Sequence, residues 1–111
     1  MAGAGGYRVD APTREDVEAT RGPLVLEFGT DWCGHCQAAQ APITRALGAR
    51  EGIVHMKIED GPGRPLGRSF RVKLWPTVVV LRDGVEVGRV VRPLDAADVE
   101  QALGALDASA G

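Results

Sequence analysis

Trp32-Cys33-Gly34-His35-Cys36 follows the apolar run Leu24-Val25-Leu26-Glu27-Phe28 and holds both cysteines of the 111-residue chain, three positions apart. A strand that ends before such a pair and turns into a helix presents the first thiol at the helix N-terminus. There the unpaired N–H groups and the positive end of the dipole favour a thiolate. The second thiol lies one helical turn on, on the same face and within reach of a disulfide. This is the layout of a dithiol–disulfide exchange site, with Cys33 attacking and Cys36 resolving. An inert structural pair and half of a zinc site are the competing readings. Zinc takes four N or S ligands; only His35 and His55 remain, and His35, between the cysteines, is poorly placed for a tetrahedral set. A covalent haem needs His where Gln37 stands. No metal or separate cofactor is expected, because the electrons reside in the Cys33–Cys36 pair.

Outward from this box, strand and helix signals alternate. Tyr7–Val9 reads as a short edge strand, and Thr13 with Asp16 offers an N-cap for a helix reaching about Thr20. Gly22-Pro23 ends that helix, and Leu24–Phe28 reads as a buried strand. An Ala-rich helical stretch from Gly34 to about Arg50 contains Pro42, which removes a backbone bond and kinks the helix. Ile53–Ile58 is a further strand, then a Gly/Pro loop, then a short helix opened by Pro65 and running to about Phe70. Thr77–Leu81 has the continuous β-branched run of a central strand. Asp83-Gly84 turns it into an antiparallel partner, Val85–Val91. Asp95 caps a last helix to about Leu106. The order β-α-β-α-β-α-β-β-α predicts a mixed five-stranded sheet with helices on both faces.

Composition bounds the function classes. The chain is one domain, 7–107, between tails at 1–6 and 108–111 expected to be flexible. A formal net charge of −2 gives no electrostatic case for nucleic acid or an anionic membrane surface. The start lacks the charged and apolar regions of a signal peptide, and no apolar run approaches a membrane span. A soluble, cytoplasmic monomer is the expectation.

Three landmarks in register resemble the thioredoxin family from about Tyr7 to Leu106: the Trp32–Cys36 box, Trp75-Pro76-Thr77 forty residues after Cys36, and Asp83-Gly84 with its hairpin. The resemblance implies an α/β thioredoxin fold and a cis peptide before Pro76. It also implies a substrate-binding face of Trp32, Trp75, Pro76, Thr77 and Arg92. The departures point to a specialised member. Cys-Gly-His-Cys is the box of protein disulfide isomerases, whereas typical thioredoxins carry Pro in place of His35. Gly34 and His35 are thus candidates for tuning the thiolate. Arg92 stands where thioredoxins commonly have Gly, and Trp75 is bulkier than the usual Ile. Near the position of a family lysine lie His55 and, two residues on, Lys57.

Glu27 interrupts an otherwise apolar strand. It is either a solvated edge charge or a buried base, and a buried carboxylate is costly unless used or paired. The base reading makes it the proton acceptor for Cys36, through a water. His55 reads as packing or a hydrogen-bond partner rather than a catalyst, and Arg92, taken alone, as a surface charge. Two function classes follow. One is an oxidoreductase exchanging disulfides with protein substrates and served by an upstream thiol reductant or oxidant. The other is a binding or adaptor module that keeps the fold but turns over little.

Overall fold

The computed structural model describes residues 6–109 of the chain, so residues 1–5 and 110–111 of the expected tails lie outside the described residues. Four helices, α1 (Arg14–Ala19), α2 (Gly34–Gly48), α3 (Pro65–Ser69) and α4 (Ala96–Ser109), alternate with strands β1 (Pro23–Gly29), β2 (Val54–Glu59), β3 (Thr77–Arg82) and β4 (Val85–Val91). The sheet order is β2-β1-β3-β4. β1 runs parallel to β2 and antiparallel to β3, and β3 is antiparallel to β4.

The sheet has four strands among the described residues, not the five expected. Tyr7–Val9 is reduced to a single bridge, Arg8 to Ile58. Arg8 N–H donates to Lys57 O at 2.9 Å and Glu59 N–H to Arg8 O at 2.8 Å. Neither neighbour extends the ladder. Tyr7 turns its N–H to the Asp31 carboxylate at 2.9 Å and its ring beneath β1, and the chain bends at Val9 and Asp10.

Alternation along β1 and β3 sorts the core onto two faces. Val25, Val78 and Val80 pack against Ala39 and Ile43 of α2 and Val99, Leu103 and Leu106 of α4. Leu24, Leu26, Phe28, Val79 and Leu81 face the other way, onto Val17 of α1 and Leu66 and Phe70 near α3. Helix α1 opens with the expected capping box: Thr13 Oγ1 accepts from Asp16 N–H, and Asp16 accepts from Thr13 N–H. Helix α2 continues through Pro42 without interruption. By the same alternation Glu27 points to the Val25 face, beneath α2. Its register neighbours are Lys57 on β2 and Val78 on β3.

Candidate active site

Cys33 is the N-cap of α2. Its sulfur accepts from Cys36 N–H at 3.3 Å, and both cysteines are free thiols. Cys33 is 8% exposed and Cys36 1%, so the order of accessibility is as expected although both are covered. Burial pushes the Cys33 thiol up. A hydrogen bond from the Cys36 thiol, the N–H groups of Cys36 and His35, and the Arg92 charge outweigh that and leave it below the ordinary thiol value. Burial, reinforced by the bond to Cys33, pushes Cys36 up to about 11. The two sulfurs are therefore driven apart in acidity, one toward thiolate and one toward thiol.

Of the two proposed tuning residues, His35 reaches Cys33 with its backbone N–H while its ring lies exposed. Gly34 opens the helix in open space, where a Cβ would meet nothing. Its lack of a side chain is not sterically required.

Beneath the cysteines lies a buried polar cluster. Glu27 is 0% exposed. Its Oε2 accepts from the Tyr7 hydroxyl and, at 2.8 Å, from Gln40 Nε2; its Oε1 lies 2.9 Å from His55 Nε2. A carboxylate only accepts, so the imidazole carries its proton on Nε2. Burial pushes Glu27 up, but the hydrogen bonds from His55, Tyr7 and Gln40 prevail and hold it below the usual carboxylate range. Lys57 completes the cluster, with Nζ 2.8 Å from Gln40 Oε1 and 4.7 Å from the Tyr7 ring centroid. Glu27 is thus no solvated edge charge, and His55 is a hydrogen-bond partner, as expected.

Tyr7 joins the two halves of the site. Its hydroxyl also lies beside the Cys36 thiol and favours the thiolate there. Gly29 makes room for the meeting: a Cβ there would fall 2.5 Å from Cys36 Sγ and 3.0 Å from the Tyr7 hydroxyl. Burial and the neighbouring Glu27 charge hold the phenol far above its ordinary pKa, so it stays protonated.

The outer wall comes from the loop before β3. The Trp75–Pro76 peptide is cis. Trp75 packs on the cluster of Tyr7, Cys33 and Cys36, and its indole N–H donates to Asp60 Oδ2 at 2.8 Å. Trp32, 75% exposed, stands edge-on to it with centroids 5.8 Å apart and planes at 80°. Thr77 is buried, its hydroxyl donating to Leu74 O at 2.6 Å. Arg92 is more than a surface charge. It adopts φ 51, donates Nε–H to Trp75 O at 2.8 Å, and donates its N–H to Pro76 O at 2.9 Å. A left-handed φ is costly for a residue with a Cβ, which is why glycine suits this position; here two hydrogen bonds to the proline loop offset that cost.

Tyr7, Gln40, Asp60 and Gly29 were not singled out from the sequence. Gln40 alone had a usable signal, four residues after Cys36 on the same helical face.

Residues 8–105 match the sequence profile of the family described as Thioredoxin. The chain belongs to the thioredoxin family. Thioredoxin 2 from Pseudomonas aeruginosa PAO1, solved in its reduced form, superposes with a TM-score of 0.84 at 52% identity, covering 95% of this chain and 97% of that one. Thioredoxin from Rhodospirillum rubrum is 31% identical over 68% of this chain and 73% of its own length. Protein disulfide-isomerase A2 from Pongo abelii is 40% identical over 55% of this chain, a match spanning 12% of that protein. Thioredoxin H2-1 from Oryza sativa subsp. japonica is 29% identical over 78% of this chain and 62% of its own length. The chain thus spans less than two thirds of several curated relatives. Among the described residues, no group of three or more His, Cys, Asp or Glu is placed to hold a metal, and no helix is long and apolar enough to cross a membrane.

Proposed function

We propose that this thioredoxin-family chain is a thiol–disulfide oxidoreductase acting on protein disulfides through Cys33 and Cys36, recharged by an upstream thiol donor or acceptor. The opposed acidities of the two sulfurs carry the reading: one is made the readier thiolate and the other is held in reserve. The redox couple is the cysteine pair itself, so the reaction needs no prosthetic group.

In the reducing direction the Cys33 thiolate attacks one sulfur of the substrate disulfide. That bond breaks, a mixed disulfide forms, and the first substrate sulfur departs as thiolate. Cys36 must then lose its proton in a site where burial opposes ionisation. The proton passes to the Tyr7 oxygen as the Tyr7 hydroxyl proton passes to Glu27, so the phenol ends as it began and the carboxylate holds the proton. Cys36 sulfur attacks Cys33 sulfur, and the second substrate thiolate leaves. The substrate gains two electrons and the pair becomes a disulfide. In this reading the proton travels through Tyr7 where a water was expected between Cys36 and Glu27. Run backwards, the same steps oxidise a dithiol.

Turnover of insulin with dithiothreitol tests the reading. The native chain should precipitate the freed insulin B chain, and Cys33→Ser should abolish this. A native rate equal to that of Cys33→Ser would reject enzymatic turnover in favour of the adaptor reading.

A further inference from the structure

Beside the proline loop, on the α3 side, an open groove of about 560 Å³ is lined by Asp60, Arg64, Arg68, Arg71, Lys73 and Trp75, among others. Its charge runs against that of the chain. Between Asp60 and Trp75 the sequence places four cations and one carboxylate, in a protein whose formal net charge is −2. That carboxylate is engaged by the Trp75 indole, and Arg64 is paired with Glu59 at 2.8 Å. Arg68, Arg71 and Lys73 are exposed and make no ion pair among the described residues. Arg71 is held at φ 59 in the turn after α3, where its N–H donates to Arg68 O at 2.9 Å.

Trp75 is the shared wall. It packs on the cysteine cluster and also lines the groove. A polypeptide whose disulfide lies at Cys33 can therefore continue past Trp75 into the cationic groove. Clustered charge of one sign in a cleft raises the local concentration of the opposite sign and speeds encounter by tenfold or more.

We infer that the Arg68–Arg71–Lys73 groove is a substrate-docking surface that selects proteins carrying an acidic segment next to the reactive disulfide. This rests on the oxidoreductase reading and narrows it to a substrate class. The occupant is polypeptide because the groove shares the Trp75 wall with the cysteine site, where disulfides react.

The test uses three cystine peptides of one length whose flank is Asp/Glu-rich, uncharged or Lys-rich. At low salt the native chain should reduce the acidic peptide with kcat/KM at least tenfold above the Lys-rich one. That gap should close between about 0.01 M and about 0.5 M salt as screening shortens the range of the field. Arg68→Gln/Arg71→Asn/Lys73→Gln, with Asn chosen for the left-handed position, should erase the gap and keep the native rate on the uncharged peptide. A missing gap, or one that survives the triple substitution, overturns the docking surface while turnover of the uncharged peptide upholds the oxidoreductase. No turnover of any peptide overturns the oxidoreductase. In that event equilibrium binding of an acidic peptide without cysteine decides the groove: at least fivefold weakening by the triple substitution supports it, and no weakening overturns it. Displacement of that peptide by a DNA duplex at lower concentration than by a second acidic peptide reassigns the groove to nucleic acid.

Discussion

Tyr7 donates its hydroxyl to Glu27 Oε2 from twenty residues upstream, although the segment that carries it pairs with the sheet through Arg8 alone. The same hydroxyl lies beside the Cys36 thiol, which is why the proposed relay runs through the phenol.

Removing that phenol oxygen should slow one step selectively. Tyr7→Phe keeps the ring against Lys57 and Cys36 and deletes the relay. Mixed-disulfide formation should keep its native rate, while resolution slows about tenfold, the effect of roughly 1.4 kcal/mol on a barrier. Glu27→Gln, which removes the base, should slow resolution by about a hundredfold. Stopped-flow kinetics with a chromogenic disulfide resolves the two phases. Equal slowing of both by Tyr7→Phe would point to disturbed packing and refute the relay.

Cys33 should be the sulfur alkylated by limiting iodoacetamide at neutral pH, because its thiol is acidified and the less covered of the two. Labelling of Cys36 in the native chain should set in only as pH climbs toward about 11. Adduct mapping by mass spectrometry reads both, and predominant Cys36 labelling of the native chain at neutral pH would reverse the assignment.

The Glu27 cluster should also show itself in acid. Its folded-state pKa is depressed below the 4.5 of a free carboxyl, so its contribution to stability is complete above that value and drains away as pH falls through the lower folded value. The native melting temperature should therefore drop below about pH 4.5 more steeply than that of Glu27→Gln, whose side chain does not titrate. Parallel slopes in thermal scans would mean that Glu27 is not ionised in the fold.

At His35 the structure separates two causes that the residue type alone conflates. The main chain donates to Cys33 sulfur, whereas the ring is exposed. Proline in the first turn of a helix fits the backbone but has no N–H; alanine keeps it. His35→Pro should lower the reduction potential by about 20–45 mV, the equivalent of about 1–2 kcal/mol in thiolate stabilisation at about 30 mV per factor of ten. His35→Ala should lower it by less than half as much. Equilibration against glutathione buffers with acid quenching measures both, and an alanine shift as large as the proline shift would return the effect to the imidazole.

How far the site could be read in advance followed the range of the interactions involved. The cysteines, Glu27 and the Trp75–Pro76 loop declare themselves through local chemistry: a turn spacing, a charge in an apolar strand, a tripeptide at a set distance. Tyr7 and Asp60 carry no such mark. Each matters because the fold carries it to a partner, Tyr7 to Glu27 and Asp60 to Trp75, and short-range patterns are blind to that. The first strand failed for a related reason. Tyr7–Val9 has strand-forming residues, but a ladder needs successive partners, and Tyr7 spends its N–H on Asp31. Arg92, on the substrate face only by resemblance, reads by itself as a surface charge because its backbone angle is invisible before the chain is folded.

Trp32 and Trp75 are the only tryptophans in the chain, and they lean on one another at the mouth of the site. All indole emission of this protein therefore originates beside its thiols. An excited indole gives up an electron to a neighbouring disulfide more readily than to a thiol, so the oxidised protein should glow more dimly than the reduced one. The molecule carries its own optical gauge of redox state, and its titration needs no attached dye.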